Sequence, residues 1–167
     1  MNRKGQYYIL LALLLIVYLV ASRISEAKTP TPPNSFRQLY ENYMTESVKV
    51  MNSGIYDGNL TARFSNFTTA FLEYSRSRSP EFTLVYLLAD QELVTVDNRL
   101  KETVNVTSST QSFLVVPGNS TTIRNPQNLT IYLAGAPYQF SFNGTTELRV
   151  IFKKQEKKEV LVHVESS

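Results

Sequence analysis

Residues 7–21 run for fifteen positions without a charge or a strongly polar side chain, behind a short basic start containing Arg3 and Lys4. As a helix this run is roughly 22 Å long, less than the ~30 Å hydrocarbon core of a bilayer. Extended from Gln6 to Ile24 it reaches nineteen residues, with Arg23 able to snorkel. Tyr7, Tyr8 and Tyr18 fall near its two ends, where amphipathic rings favour the interface. Arg3, Lys4 and the α-amine outweigh the Arg23/Glu26/Lys28 mixture, so the N-terminus is expected inside the cell and the rest outside. Three fates fit the segment: an uncleaved anchor, a secretory signal cut after Ala27 behind Ser25-Glu26, or a leader cut after Gly5.

Beyond it, Thr29-Pro30-Thr31-Pro32-Pro33 cannot continue a helix and reads as an extended, stiff spacer. Residues 1–27 carry a net charge of +2 and residues 28–167 only +1. The body is therefore nearly neutral with mixed signs, which argues against a nucleic-acid surface.

Two amphipathic helices are predicted next. Ser35 with Gln38 forms a capping-box pattern, and Phe36, Leu39, Tyr40, Tyr43, Met44, Val48 and Met51 share one face before Asn52-Ser53-Gly54. From Asn59 to Arg76, Leu60, Phe64, Phe67, Phe71 and Tyr74 recur at steps of three and four, and Ser79-Pro80 follows. The period then changes to two. Strands are expected at 82–89, 93–96, 103–106, 113–116, 129–133, 138–142, 148–152 and 160–164. Asn143-Gly144 is the strongest hairpin signal, and Asp90-Gln91 and Asp97-Asn98 are weaker turn candidates. The expected class is α+β: a transmembrane helix, a helical pair, and an antiparallel β-sandwich-like domain of about eight strands. The implied division is an anchor or signal at 1–27, a linker at 28–34, helices at 35–79 and strands at 80–167.

Asn-x-Thr occurs at Asn59, Asn66, Asn105, Asn119, Asn128 and Asn143. With twelve Asn and sixteen Thr in 167 residues, random placement gives about one such triplet. No middle residue is proline, as a glycan acceptor requires. A glycan is large and hydrated, so these asparagines are expected in water and outside the cytosol. Two have alternative local uses: Asn59 at a helix start and Asn143 in a hairpin.

Catalytic signals are sparse. The chain lacks cysteine, which removes disulfides, thiolate metal sites and cysteine nucleophiles. His163 is the single histidine, expected on the outward face of its strand with Leu161 and Glu165. No nucleophile elbow, zinc-helix pattern, P-loop or dinucleotide fingerprint is present. Asp57-Gly58-Asn59 begins like a calcium loop, but its twelfth position is Thr68 rather than glutamate. The stretch from Lys153 to Lys158 reads as a solvated hairpin tip. No catalytic residue, metal ligand or cofactor is assigned.

Lys4-Gly5-Gln6-Tyr7-Tyr8, followed by the apolar run, resembles the class III signal peptides of archaeal type IV pilin-like surface proteins. The resemblance implies cleavage between Gly5 and Gln6. It also implies an apolar helix that joins a filament core and a glycosylated, cysteine-free, β-rich head. The chain departs from that pattern at Leu10, where many pilins have glutamate, and at residues 29–33, where the helix is broken. The expectation is a non-enzymatic, single-pass, outward-facing surface glycoprotein. Its partners are membrane lipid along residues 7–21 and pilin-like or cell-envelope proteins, not nucleic acid. The alternative is a soluble binding module released after Ala27.

Overall fold

The computed structural model describes residues 35–109, 111–156 and 159–167. The expected anchor, the expected linker and the expected processing positions Gly5, Gln6 and Ala27 lie outside the described residues.

Helix α1, Ser35–Asp57, buries Phe36, Leu39, Tyr43, Ser47 and Met51, a run with steps of three and four. The stripe passes through Ser47 rather than Val48, which is half exposed. Ser47 is tolerated there because its hydroxyl donates back to the Tyr43 carbonyl at 2.7 Å. The helix also runs through Asn52-Ser53-Gly54 instead of ending there. Gly54 is needed inside it: a Cβ at this position would lie 2.8 Å from the Leu60 Cα. The terminating glycine is Gly58, at φ +66°.

Helix α2, Leu60–Arg76, buries Leu60, Phe64, Thr68, Leu72 and Ser75. Hydrophobicity alone points one residue away, to Phe67, Phe71 and Tyr74. Thr68 and Ser75 can occupy the buried ridge because both hydroxyls are bonded, Thr68 to Tyr43 at 2.8 Å and Ser75 to the Leu72 carbonyl at 2.9 Å. Phe67 and Phe71 flank that ridge, within 5.2 Å and 5.1 Å of the Tyr43 ring centroid.

Among the described residues nine strands follow. They are β1 Phe82–Asp90, β2 Leu93–Asn98, β3 Val104–Ser108, β4 Ser112–Val115, β5 Ser120–Arg124, β6 Asn128–Leu133, β7 Ala136–Ser141, β8 Glu147–Glu156 and β9 Glu159–Ser166. They form two antiparallel sheets, ordered β5-β2-β1-β8-β9 and β4-β3-β6-β7. Among the described residues the fold is thus α+β, with two helices and a sheet-rich body.

Central strand β1 explains the arrangement. Leu84, Tyr86 and Leu88 enter one core with Phe36, Leu39, Tyr43, Phe64 and Phe152 from the helices and β8. Val85, Leu87 and Ala89 enter a second core with Val104, Val106, Leu129, Ile131 and Phe140 from the other sheet. A strand covered on both faces reads as a continuous apolar run, which β1 does. Helices and strands therefore share a core, and residues 35–167 form one compact unit.

Asn143-Gly144 does not make a hairpin. It joins β7, in the four-stranded sheet, to β8, in the five-stranded one. The physical reason lies in burial. Leu148, Val150, Phe152 and Ile151 are buried on both faces of β8, so β8 must sit inside the doubly covered sheet. β7 buries Phe140 and exposes Gln139 and Ser141. The tight turn is instead Ala134-Gly135, both at positive φ, between paired Leu133 and Ala136. Strand β5 shows no apolar alternation in the sequence because its only buried residue is Ile123. It lies at a sheet edge, pairing with β2 alone.

Candidate functional site

All six sequon asparagines are exposed. Asn59 occupies the N-cap position of α2 but makes no side-chain capping bond. Asn143 serves no hairpin. Its Oδ1 accepts bonds from the Thr145 amide at 3.2 Å and the Thr145 hydroxyl at 2.6 Å. That closed turn uses Oδ1 and not the amide nitrogen, the atom a glycan would take. Asn119 sits in the turn between β4 and β5, where only its backbone is engaged, accepting from the Asn98 amide and donating to the Val116 carbonyl.

Asn105 and Asn128 lie on strands β3 and β6. The two-residue period puts each asparagine and its threonine on the same face, here the outer face of the four-stranded sheet. The two sequons run antiparallel, with Thr107 paired to Thr130 and Asn105 to Tyr132. Their middle residues, Val106 and Leu129, point into the core and are fully buried.

Asn66 differs. On a helix, residues two apart point to nearly opposite sides. Asn66 is exposed while Thr68 is fully buried against Tyr43. A transferase needs both residues, so this site is open only before α2 packs.

Other chemistry-bearing groups are placed as follows. Asp97, read from sequence as part of a turn with Asn98, is buried within β2 opposite Tyr86. Arg99 donates to its Oδ1 from Nε at 2.6 Å and to Oδ2 from Nη2 at 3.0 Å; the Tyr86 hydroxyl donates to the same Oδ2 at 3.1 Å. Arg99 also reaches the Ser65 hydroxyl of α2 at 3.1 Å. Burial, then the neighbouring Asp97 charge, pushes the Tyr86 phenol well above its usual range. Asn98 donates to the Glu102 and Val115 carbonyls and accepts from the Leu100 amide. Both oxygens of Asp97 are thus occupied, and the cluster joins β1, β2 and α2. The signal that could have found it is the β2 alternation, which places Thr95 and Asp97 on the helix-facing side.

His163 is not an ordinary surface residue. Its ring stacks on Tyr40 of α1 with centroids 3.9 Å apart, and Nε2 lies 2.8 Å from the Glu165 carboxylate. It lies on the helix side of β9, whereas Val160 and Val164 are on the opposite side, each about 40% exposed. Lys153 is likewise no free tip residue: it is paired with Glu102 at 2.5 Å, its side chain 13% exposed.

The clefts are shallow in chemistry. One of about 350 Å³ at the β1–β2 turn is lined by Gln91, Glu92, Asn125, Phe142 and Asn143 among others. Its one ionisable group, Glu92, pairs with Arg124 at 3.0 Å. Another of about 260 Å³ is bordered by Glu73, Arg76, Arg99 and Lys101, of which Arg99 and Lys101 are committed to Asp97 and Glu81. Among the described residues no group of three His, Cys, Asp or Glu side chains is placed to hold a metal, and no helix is long and apolar enough to cross a membrane. Comparison with family models, with curated proteins and with solved structures gave no match to this chain.

Proposed function

We propose that this chain is a single-pass, outward-facing, N-glycosylated surface protein with a structural or interaction role and no catalytic activity of its own. Residues 7–21 anchor it, residues 29–33 space the body from the membrane, and the sandwich-like α+β body presents its faces to the exterior. Pilin-like processing between Gly5 and Gln6 belongs to this reading, with membrane lipid and cell-envelope proteins as partners. The observation that carries it is the exposure of all six sequon asparagines. Asn59, one of the two with a competing local use, makes no side-chain capping bond, while Asn143 forms no hairpin but does close a turn onto Thr145.

A second reading, a soluble module released after Ala27, is favoured by one observation. Residues 35–167 form a compact unit of their own that contains both described cores. Mass spectrometry of the mature N-terminus, on protein from its native membrane, separates the two. A start at Gln6 supports the pilin-like form, and a start at Met1 supports a simple anchor. A start at Lys28 overturns the anchored reading.

A further inference from the structure

The outer face of the four-stranded sheet is ordered into rows by its register. One row runs Leu114–Asn105–Tyr132–Pro137 across β4, β3, β6 and β7. The next runs Ser112–Thr107–Thr130–Gln139 and is wholly polar, and the third pairs Asn128 with Ser141. Within these paired rows every apolar residue therefore stands in one row, and the single polar member of that row is a sequon asparagine.

The row is unusual in two ways. Leu114 is 74% exposed and Tyr132 47% exposed, so a leucine and an aromatic ring face water on either side of Asn105. Asparagine is also depleted from strand interiors. At this central position its side chain makes no hydrogen bond to any described residue. Directly opposed residues have Cβ atoms about 4.5–5.5 Å apart. A group attached to the Asn105 amide nitrogen must therefore emerge between the Leu114 and Tyr132 side chains.

We propose that the oligosaccharide on Asn105 is a structural element of the sheet, its first sugar packing on the Tyr132 ring and covering Leu114. This rests on the reading that the sequon is used. A pyranose carries C–H groups on its ring faces and hydroxyls on its rim. It can remove apolar area from water against the aromatic face while its own polar groups stay hydrated. The other sequons of the strands and their turns lack this setting. Asn128 has Ser141 opposite, already donating to its Oδ1 at 2.8 Å. Asn119 and Asn143 stand in turns. Among the sequons of the two sheets and their turns, the glycan on Asn105 is accordingly the one whose loss is felt by the fold.

The test uses the full chain in detergent, purified from its native membrane, and begins with glycopeptide mass spectrometry. An unmodified Asn105 overturns both sequon use at this position and the packing proposed here. With Asn105 modified, thermal midpoints are compared for the parent, Thr107→Val, Tyr132→Thr and the double variant. Thr121→Val, which removes the Asn119 sequon, is the control. Thr107→Val is expected to lower the midpoint by about 3–6 °C in the parent and by no more than about 1 °C when Tyr132 is already absent; the control stays within about 1 °C. Equal shifts with and without Tyr132, or no shift, overturn the proposal while leaving glycosylation intact. Hydroxyl-radical footprinting gives a readout independent of stability: Tyr132 is expected to oxidise several-fold faster in Thr107→Val. An unchanged rate overturns the proposal.

Discussion

Arg99 closes over Asp97 from the end of its own strand, Nε on Oδ1 at 2.6 Å and Nη2 on Oδ2 at 3.0 Å. The pair stitches the helical layer to the sheet, because Asp97 also receives Tyr86 and Arg99 also reaches Ser65 of α2. Truncating the acid leaves a guanidinium and a phenol without their acceptor in a mostly dry site. Asp97→Ala is expected to lower unfolding free energy by about 3 kcal/mol. Arg124→Ala breaks an exposed pair with Glu92 and is expected to cost under about 1 kcal/mol. Urea unfolding followed by circular dichroism measures both. Equal costs would show that the buried pair is not what holds the layers.

Tyr43 and Thr68 share the one side-chain hydrogen bond linking α1 to α2 in their buried seam, at 2.8 Å. Each hydroxyl removed alone strands the other. Tyr43→Phe and Thr68→Val should each cost about 1–2 kcal/mol, and the double variant little more than either single one. Strict additivity in the double-mutant cycle would contradict this pairing.

The helices also meet at Gly54. Its missing Cβ leaves room for the Leu60 backbone, which cannot retreat as a flexible side chain would. Gly54→Ala is expected to destabilise by about 1–3 kcal/mol through overpacking. Gly58→Ala meets no neighbour within 4 Å but must hold φ at +66°, and should cost about 1 kcal/mol. Shortening Leu60 to alanine should rescue Gly54→Ala only in part, because it removes the contact with Cδ1 at 3.0 Å but leaves the closer one with Cα at 2.8 Å. Full rescue would place the whole clash in the side chain instead.

Burial raises the Tyr43 and Tyr86 phenols above the usual tyrosine range. Above pH ~10 the unfolded chain releases these two protons while the folded chain retains them, so the unfolded state binds fewer protons and stability falls as pH rises. Below pH ~10 their contribution is fully present. Absorbance at 295 nm during alkaline titration should show two phenols ionising only as the fold is lost. Smooth ionisation of every tyrosine before unfolding would contradict the burial.

Much of this architecture was legible in sequence, and the exceptions share a cause. Both helices and eight of the nine strands were marked by their apolar period. The buried ridges were read one residue off at Val48 and at Phe67, because Ser47 and Thr68 are small polar residues whose hydroxyls are satisfied internally. Asp97-Asn98 resembled a turn for a similar reason: polar side chains bonded inside the fold look solvated in a linear string. Asn143-Gly144 carried correct turn chemistry, yet no local signal says which sheet the next strand joins. That depends on β8 being covered on both faces. The sequon asparagines were visible from spacing alone. The apolar row around Asn105 was not, since Leu114 and Tyr132 meet it only through strand register.

The most direct measurement is glycopeptide mass spectrometry of the chain isolated from its native membrane, with occupancy read at each sequon. Oligosaccharide is expected on Asn59, Asn105, Asn119, Asn128 and Asn143. Asn66 should be lowest, because Thr68 is closed once α2 packs. Six unmodified asparagines would contradict an outward-facing glycoprotein and leave their exposure without a role.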